Sequence, residues 1–329
     1  MKKRIALGLL GVLLIIWAYG LVAVPKLEPK IWGLTFSARQ AESFNLDPHE
    51  TLTALVNDLG IKALRLSAYW DDIEPRKGEY DFSRIEGELD IARRGGATVV
   101  LAMGRKLPRW PECHDPKWLG EVSEGEQKER QLKYVKNVVE RFKDDTTIGA
   151  WQVENEPFLP YGHCPGYDID LLDQELSLVR ELDPSRKVIV TDSGELSLWV
   201  RAAKRGDIFG STMYRKVSNK YLGLITYPIP PSFFRVKRAL TELAVGERPA
   251  IVVELQGEPW DLSPYQELPV ERQFKTMGPD DFADTLEYAE KTGFDAFYLW
   301  GGEWRYWLKK NGHEEHWNLV KSRVDATMK

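Results

Sequence analysis

The chain has 329 residues, 43% hydrophobic and 11% aromatic, which suffices for a large buried core and excludes an intrinsically disordered chain. A formal charge of -5, with no basic stripe beyond the first few residues, argues against a nucleic-acid partner. Two cysteines are too few for a disulfide scaffold or a four-cysteine zinc site.

Residues 1–26 read as a unit of their own. Lys2, Lys3 and Arg4 precede an uncharged run from Ile5 to Val24, and Lys26 follows it. A helix over that run, at ~1.5 Å per residue, spans ~30 Å, the thickness of a bilayer core. The expectation is a single N-terminal transmembrane helix with its basic end in the cytoplasm, so that residues 27–329 lie outside the cytoplasm at the cell membrane. A cleaved secretory signal would instead release the domain. The long apolar run, and Leu21-Val22-Ala23 as a poor A-x-A site, favour the anchor.

From Ile31 onward, short apolar runs alternate with amphipathic stretches. The runs are Ile31–Phe36, Ala63–Ser67, Thr98–Met103, Ile148–Val153, Val188–Thr191, Ile208–Met213, Ala250–Val253 and Ala296–Trp300. Each is continuous rather than alternating, the pattern of parallel strands covered on both faces. Helix punctuation lies between them. Asp47-Pro48-His49-Glu50 supplies an N-cap, a Pro at the first helical position and a capping Glu, and Ser83…Glu86 and Ser123…Glu126 repeat the spacing. Gly60, Gly95, Gly206, Gly246 and Gly293 stand where helices should stop, and Asp183-Pro184 ends another.

Eight strand–helix units predict a (β/α)8 barrel for residues 27–329 as a single catalytic domain. An open doubly wound sheet would also alternate, but no Gly-x-Gly-x-x-Gly or phosphate loop follows any strand. The longest loops follow strands three, four, six and seven and carry Trp110, Tyr161, Tyr227 and Trp260. In a barrel they share the face on which active sites are built. Cys113 follows strand three and Cys164 strand four, so neighbouring loops on one rim bring the two within reach of a bridge in an oxidising compartment.

Two strand ends carry the chemistry. Strand four closes on Trp151-Gln152-Val153-Glu154-Asn155-Glu156-Pro157, where Pro157 stops pairing and leaves Asn155 and Glu156 at the rim. Strand seven runs Ala250-Ile251-Val252-Val253 straight into Glu254. Strands four and seven face each other across an eight-stranded barrel. Two carboxyl groups flanking a glycosidic bond, ~5–5.5 Å apart for retention or ~6.5–9.5 Å for inversion, are what sugar hydrolysis requires.

With these motifs the chain resembles the retaining glycoside hydrolases of clan A, and most nearly family 5, the cellulase-type family, over roughly Ile31 to Trp307. The resemblance implies Glu156 as acid/base and Glu254 as nucleophile. It also implies Arg65 near the nucleophile, Tyr214 bonded to it, and Trp300 as the floor of the sugar site, while the Asn155 amide beside Glu156 can bond a ring hydroxyl. Trp70–Pro75 followed by Gly78–Ser83 resembles the loop after strand two in many members. Trp304 and Trp110 are further candidates for stacking on sugar rings.

The nucleophile must act as a carboxylate, which a neighbouring Arg favours; the acid must stay protonated, which a like charge and apolar walls favour. Glu258, four residues past Glu254, is the competing nucleophile. Glu154 reads as a strand residue with a structural partner, Glu303 is a weaker site candidate, and Asp71, Asp72 and Glu74 read as a solvated loop. His114 and His163 lack close ligand spacing, and His313 and His316 are three apart rather than four, on what reads as an exposed C-terminal helix. No metal and no cofactor are expected. The expectation is a retaining hydrolase, and the resemblance alone implies a β-linked oligo- or polysaccharide as its substrate. A transglycosylase remodelling cell-surface glycan, a barrel that binds glycan without cutting it, and a metal-dependent hydrolase on the same fold are the alternatives.

Overall fold

The computed structural model describes residues 31–166, 168–221 and 223–327. Residues 1–26, where the membrane anchor is expected, lie outside the described residues. Among the described residues no helix is long and apolar enough to cross a membrane.

Eight strands are parallel: β1 (Ile31–Thr35), β2 (Ala63–Ser67), β3 (Thr98–Met103), β4 (Ile148–Val153), β5 (Lys187–Asp192), β6 (Ile208–Met213), β9 (Ala250–Leu255) and β10 (Ala296–Leu299). They close in the order β1-β2-β3-β4-β5-β6-β9-β10 and back to β1. This is the (β/α)8 barrel, and its strands lie within a residue or two of the apolar runs because burial on both faces leaves no polar alternation to blur them. Gly33 is required by packing: a Cβ there would stand 2.8 Å from the Ala63 carbonyl and 2.9 Å from the Tyr298 ring, which fills the barrel interior.

The Asp47 side chain accepts from the Glu50 N–H at 2.7 Å and opens the helix Pro48–Asn57; Ser123 accepts from Glu126 at 3.3 Å and opens Glu124–Phe142. Ser83 differs from expectation. It lies inside the helix Ser83–Arg94, and its N–H is taken by Asp81 at 2.9 Å, so the stronger acceptor two residues upstream replaces the hydroxyl. Glu74 is a second correction. It is fully buried, accepting from the Trp70 indole at 2.9 Å and the Gly78 N–H at 2.8 Å, because the loop after β2 folds inward to satisfy its own turn. His316 is a third. The helix Glu315–Thr327 buries it against Phe274, Phe282 and Trp304, and burial pushes its pKa down to about 3.

An antiparallel hairpin, β7 (Lys216–Asn219) with β8 (Gly223–Thr226), rises from the loop after β6. It stands on β9, for Gln256 Oε1 accepts from the N–H groups of Arg215 and Lys216 at 2.8 and 2.9 Å.

Candidate active site

Glu254 is the penultimate residue of β9, and a bulge aims it. Ser211 and Thr212 of β6 pair with Val252 and Glu254, so Val253 is an extra residue on β9. Its carbonyl turns to the mouth, where it accepts from Thr35 Oγ1 at 2.9 Å, and Glu254 comes beside Thr212. Arg65, fully buried on β2, reaches across to donate to Glu254 Oε1 at 2.8 Å, Gln152 Oε1 at 2.8 Å and Asn155 Oδ1 at 2.7 Å. The Tyr214 hydroxyl donates to the other oxygen of Glu254 at 2.8 Å.

Glu156 stands on a strained turn. Glu154 and Glu156 have φ of +57° and +44°, the left-handed region that costs residues with a Cβ about 1–3 kcal/mol each. The turn is held by Glu154, whose carboxylate accepts from the N–H groups of Arg105 and Lys106 at 2.8 and 2.7 Å and from Gln131 at 3.0 Å. Gly104 makes room, since a Cβ there would meet that carboxylate at 2.7 Å. Thr191 Oγ1 accepts from the Glu156 N–H at 2.8 Å, and Thr212 Oγ1 donates to Glu156 Oε1 at 3.0 Å. Thr212 is the register partner of Glu254, so Glu156 lies one ~4.8 Å strand spacing and one hydrogen bond from it, at the same end of the barrel.

The charges differ sharply in surroundings. Burial, then the like charges of Glu254 and Glu112, push the Glu156 pKa well above the ordinary carboxyl range. Burial also holds the Tyr214 hydroxyl far above its usual range, which keeps it a donor. Glu112 is a third carboxyl of the site. Burial and Glu254 raise its pKa to about 8, with Asn155 and Lys106 opposing, and its Oε2 has no hydrogen-bond partner.

The structure brings Arg65, Asn155, Glu156, Tyr214 and Glu254 together at one mouth. Trp300, just past β10, also reaches it, but the Arg109 guanidinium lies 3.9 Å from its ring centroid and occupies one face. Trp110 is at the rim, 61% exposed, against Tyr161 and His163. Trp304 does not belong to the mouth. It is fully buried in the helix Gly302–Lys310, its indole donating to Gln273 Oε1 at 2.5 Å, because the helix turns that face inward against the helix layer. Glu258, the competing nucleophile, is held by Arg109 at 2.5 Å, and Glu303 by the same guanidinium at 2.9 Å.

Sequence reasoning missed Arg109, Glu112 and Thr212. Only Glu112 left a signal: it precedes Cys113, and a bridge from there to the loop after β4 carries it toward Glu156. The bridge is present, Cys113 to Cys164 with Cα atoms 5.2 Å apart. His114 and His163 do not converge. The His114 ring nitrogens meet Arg39 and the Arg109 carbonyl, each at 3.2 Å, while His163 packs on Trp110.

Known proteins resemble this chain in part of its sequence and in fold. A beta-galactosidase, BgaA, of Clostridium cellulovorans is 27% identical over 135 residues, 33% of this chain and 19% of the relative. A beta-galactosidase of Halorubrum lacusprofundi is 24% identical over 128 residues, 31% of this chain and 17% of the relative. The chain thus aligns with under a fifth of the length of either. In structure, the beta-galactosidase of the Antarctic haloarchaeon Halorubrum lacusprofundi superposes with a TM-score of 0.62 at 16% identity, over 91% of this chain and 58% of that one. An exo-beta-1,4-mannosidase from an Opitutaceae bacterium gives 0.60 at 16% identity, over 90% and 59%. At such identities the likeness is one of fold. The sequence itself matches the family described as Cellulase (glycosyl hydrolase family 5) over residues 33–219, more than half the chain, and the chain therefore belongs to glycosyl hydrolase family 5.

Proposed function

We propose that this glycosidase hydrolyses a β-linked glycoside with retention, Glu254 acting as nucleophile and Glu156 as acid/base. The observation that carries the reading is the pairing of Thr212 with Glu254 together with its hydrogen bond to Glu156, which sets two differently held carboxyl groups around one gap. Glu254, fixed through both oxygens by Arg65 and Tyr214, attacks the anomeric carbon. Glu156, kept neutral by burial and like charge, gives its proton to the departing glycosidic oxygen. Ester formation then consumes the charge on Glu254, the Glu156 pKa falls, and its carboxylate takes a proton from the water that frees the sugar. The named relatives point to β-galactosides and β-mannosides as the first substrates to test.

A 2-deoxy-2-fluoro glycoside with a good leaving group should trap the first intermediate, and peptide mapping should find the label on Glu254. Label on Glu258 refutes the assignment. Glu156→Gln should lose about 10²–10⁴-fold on natural linkages. It should lose far less on aryl glycosides whose leaving group needs no proton; equal losses exclude the acid role.

We further infer an extracytoplasmic domain, residues 27–329, tethered by residues 1–26. The apolar run from Ile5 to Val24 and the Cys113–Cys164 bridge support it. Protease added to intact cells should remove the activity, and high-salt washing should leave it on the membrane; activity confined to the cytoplasm overturns it.

A further inference from the structure

The loops around the mouth are tied across it in two places. From the loop after β3, Arg109 reaches Glu258 past β9 at 2.5 Å and Glu303 past β10 at 2.9 Å, and lies over Trp300. Glu303 in turn accepts from the Ser37 N–H past β1 at 2.5 Å. The Tyr69 hydroxyl, past β2, donates to the Pro108 carbonyl and accepts from the Ser37 hydroxyl, both at 3.0 Å. Five of the eight loops are locked together over the arc β3-β2-β1-β10-β9, and Arg109, Glu258, Glu303, Tyr69 and Trp300 are all buried there.

The second tie is aromatic. Trp260, past β9, meets Tyr161, past β4, at 6.2 Å between ring centroids, and Tyr214 at 5.3 Å. Its carbonyl accepts from Ser218 of the β7–β8 hairpin at 2.8 Å, so the hairpin props the ring in place. Tyr161 continues to the exposed Trp110 at 6.2 Å.

Among the described residues, these ties run across the paths by which a chain could pass from one side of the carboxyls to the other. A polysaccharide threaded through the site needs such a path; a chain end does not. We propose that the mouth is a blind pocket for one terminal sugar, walled by the Arg109–Glu258–Glu303 tie, and that the enzyme removes single sugars from the non-reducing end. The direction follows from chemistry. The sugar attacked by Glu254 carries its leaving group toward Glu156, on the β4 side, where Tyr161 and Trp110 offer ring faces to the remainder of the chain. From Arg109 the arc runs over β2, β1 and β10 to Glu258, the side of the mouth opposite β4 and Glu156, so it blocks attachment at the far side of the bound sugar. The charges within the wall are already matched, two carboxylates to Arg109, and the buried Arg305 beside them draws on the same carboxylates. The wall therefore excludes by volume and does not select an ionic sugar.

The inference rests on the roles given above to Glu156 and Glu254, and the test separates the two. Aryl β-monosaccharides and short manno-, galacto- and cello-oligosaccharides labelled at the reducing end are digested, and products are resolved early in the reaction. The expected result is a monosaccharide ladder shortened one unit at a time, turnover of aryl monosaccharides, and no early fall in viscosity of the matching polymer. Early release of disaccharides or internal fragments overturns the blind pocket while leaving the glycosidase intact. Failure to cleave any β-glycoside overturns the function and the pocket together. Arg109→Ala should raise the ratio of internal to terminal cuts by about tenfold or more, the change that ~1.4 kcal/mol of lost discrimination produces. If Arg109→Ala does not accumulate, Trp260→Ala opens the aromatic tie without unpairing a buried charge: a rise in internal cuts supports the closed mouth, and an unchanged product pattern refutes it. An unchanged product pattern in a folded Arg109→Ala protein refutes its role as the wall.

Discussion

Replacing Arg65 by Met tests whether the site is held together by its buried charge. Arg65 is fully buried and makes three short hydrogen bonds, to Gln152, Glu254 and Asn155, on two other strand ends. Met fills most of the same space, so little of the effect comes from a cavity. What is lost is the cation opposite Glu254, which retains only Tyr214 as a charge-stabilising donor. Removing one partner of a buried pair costs about 3–5 kcal/mol. Against a typical total of ~5–15 kcal/mol, the variant still folds but unfolds at markedly lower denaturant. Glu254→Gln in the same protein removes the stranded charge, so the double variant should recover a coupling energy of about 2–3 kcal/mol. Urea unfolding of the four proteins, with m-values checked for constancy, measures it. A loss below ~1 kcal/mol for Arg65→Met, or additivity within ~0.5 kcal/mol, would show that the pair carries no net stability and that the reasoning is wrong.

The basic limb of kcat/KM should lie well above the ordinary glutamate range, because burial and like charge raise Glu156; a limb at the usual value refutes the acid assignment. Glu112 titrates near 8 when folded and lower when unfolded, so the native state holds a proton that the unfolded state has lost, and stability falls as pH rises between the two values. Glu112→Gln should therefore gain stability over the parent from pH ~5 upward, levelling off above ~8; a pH-independent difference in chemical denaturation contradicts this. Replacing Cys113 and Cys164 with Ser opens a loop with ends 51 residues apart, and should cost up to ~4 kcal/mol in unfolding free energy with a higher KM. Trp304→Ala should cost about 3–5 kcal/mol of stability, with KM unchanged in the folded fraction, as befits a buried packing residue.

The amino-acid sequence by itself determined the barrel and the strand ends at which Glu156 and Glu254 stand. Strands covered on both faces must be apolar throughout, so each appears as an uninterrupted run. A carboxylate directly after such a run, as Glu254 is, stands out against it, and Glu156 stands three residues past its own run, just before Pro157. Capping at Asp47 and Ser123 was legible for a similar reason, since those bonds form within one turn of the chain. The surroundings of the carboxyls were decided only by the tertiary structure. Arg109 meets Glu258 and Glu303 across separations of 149 and 194 residues, and Thr212 meets Glu156 across 56. No local pattern encodes which loop leans over which. The same holds where expectation failed. Trp304 and His316 pack on each other and Glu74 folds under its own turn, because neighbouring segments supply the partners. Local periodicity records how a segment meets solvent and core; it does not record which distant side chain completes a charge.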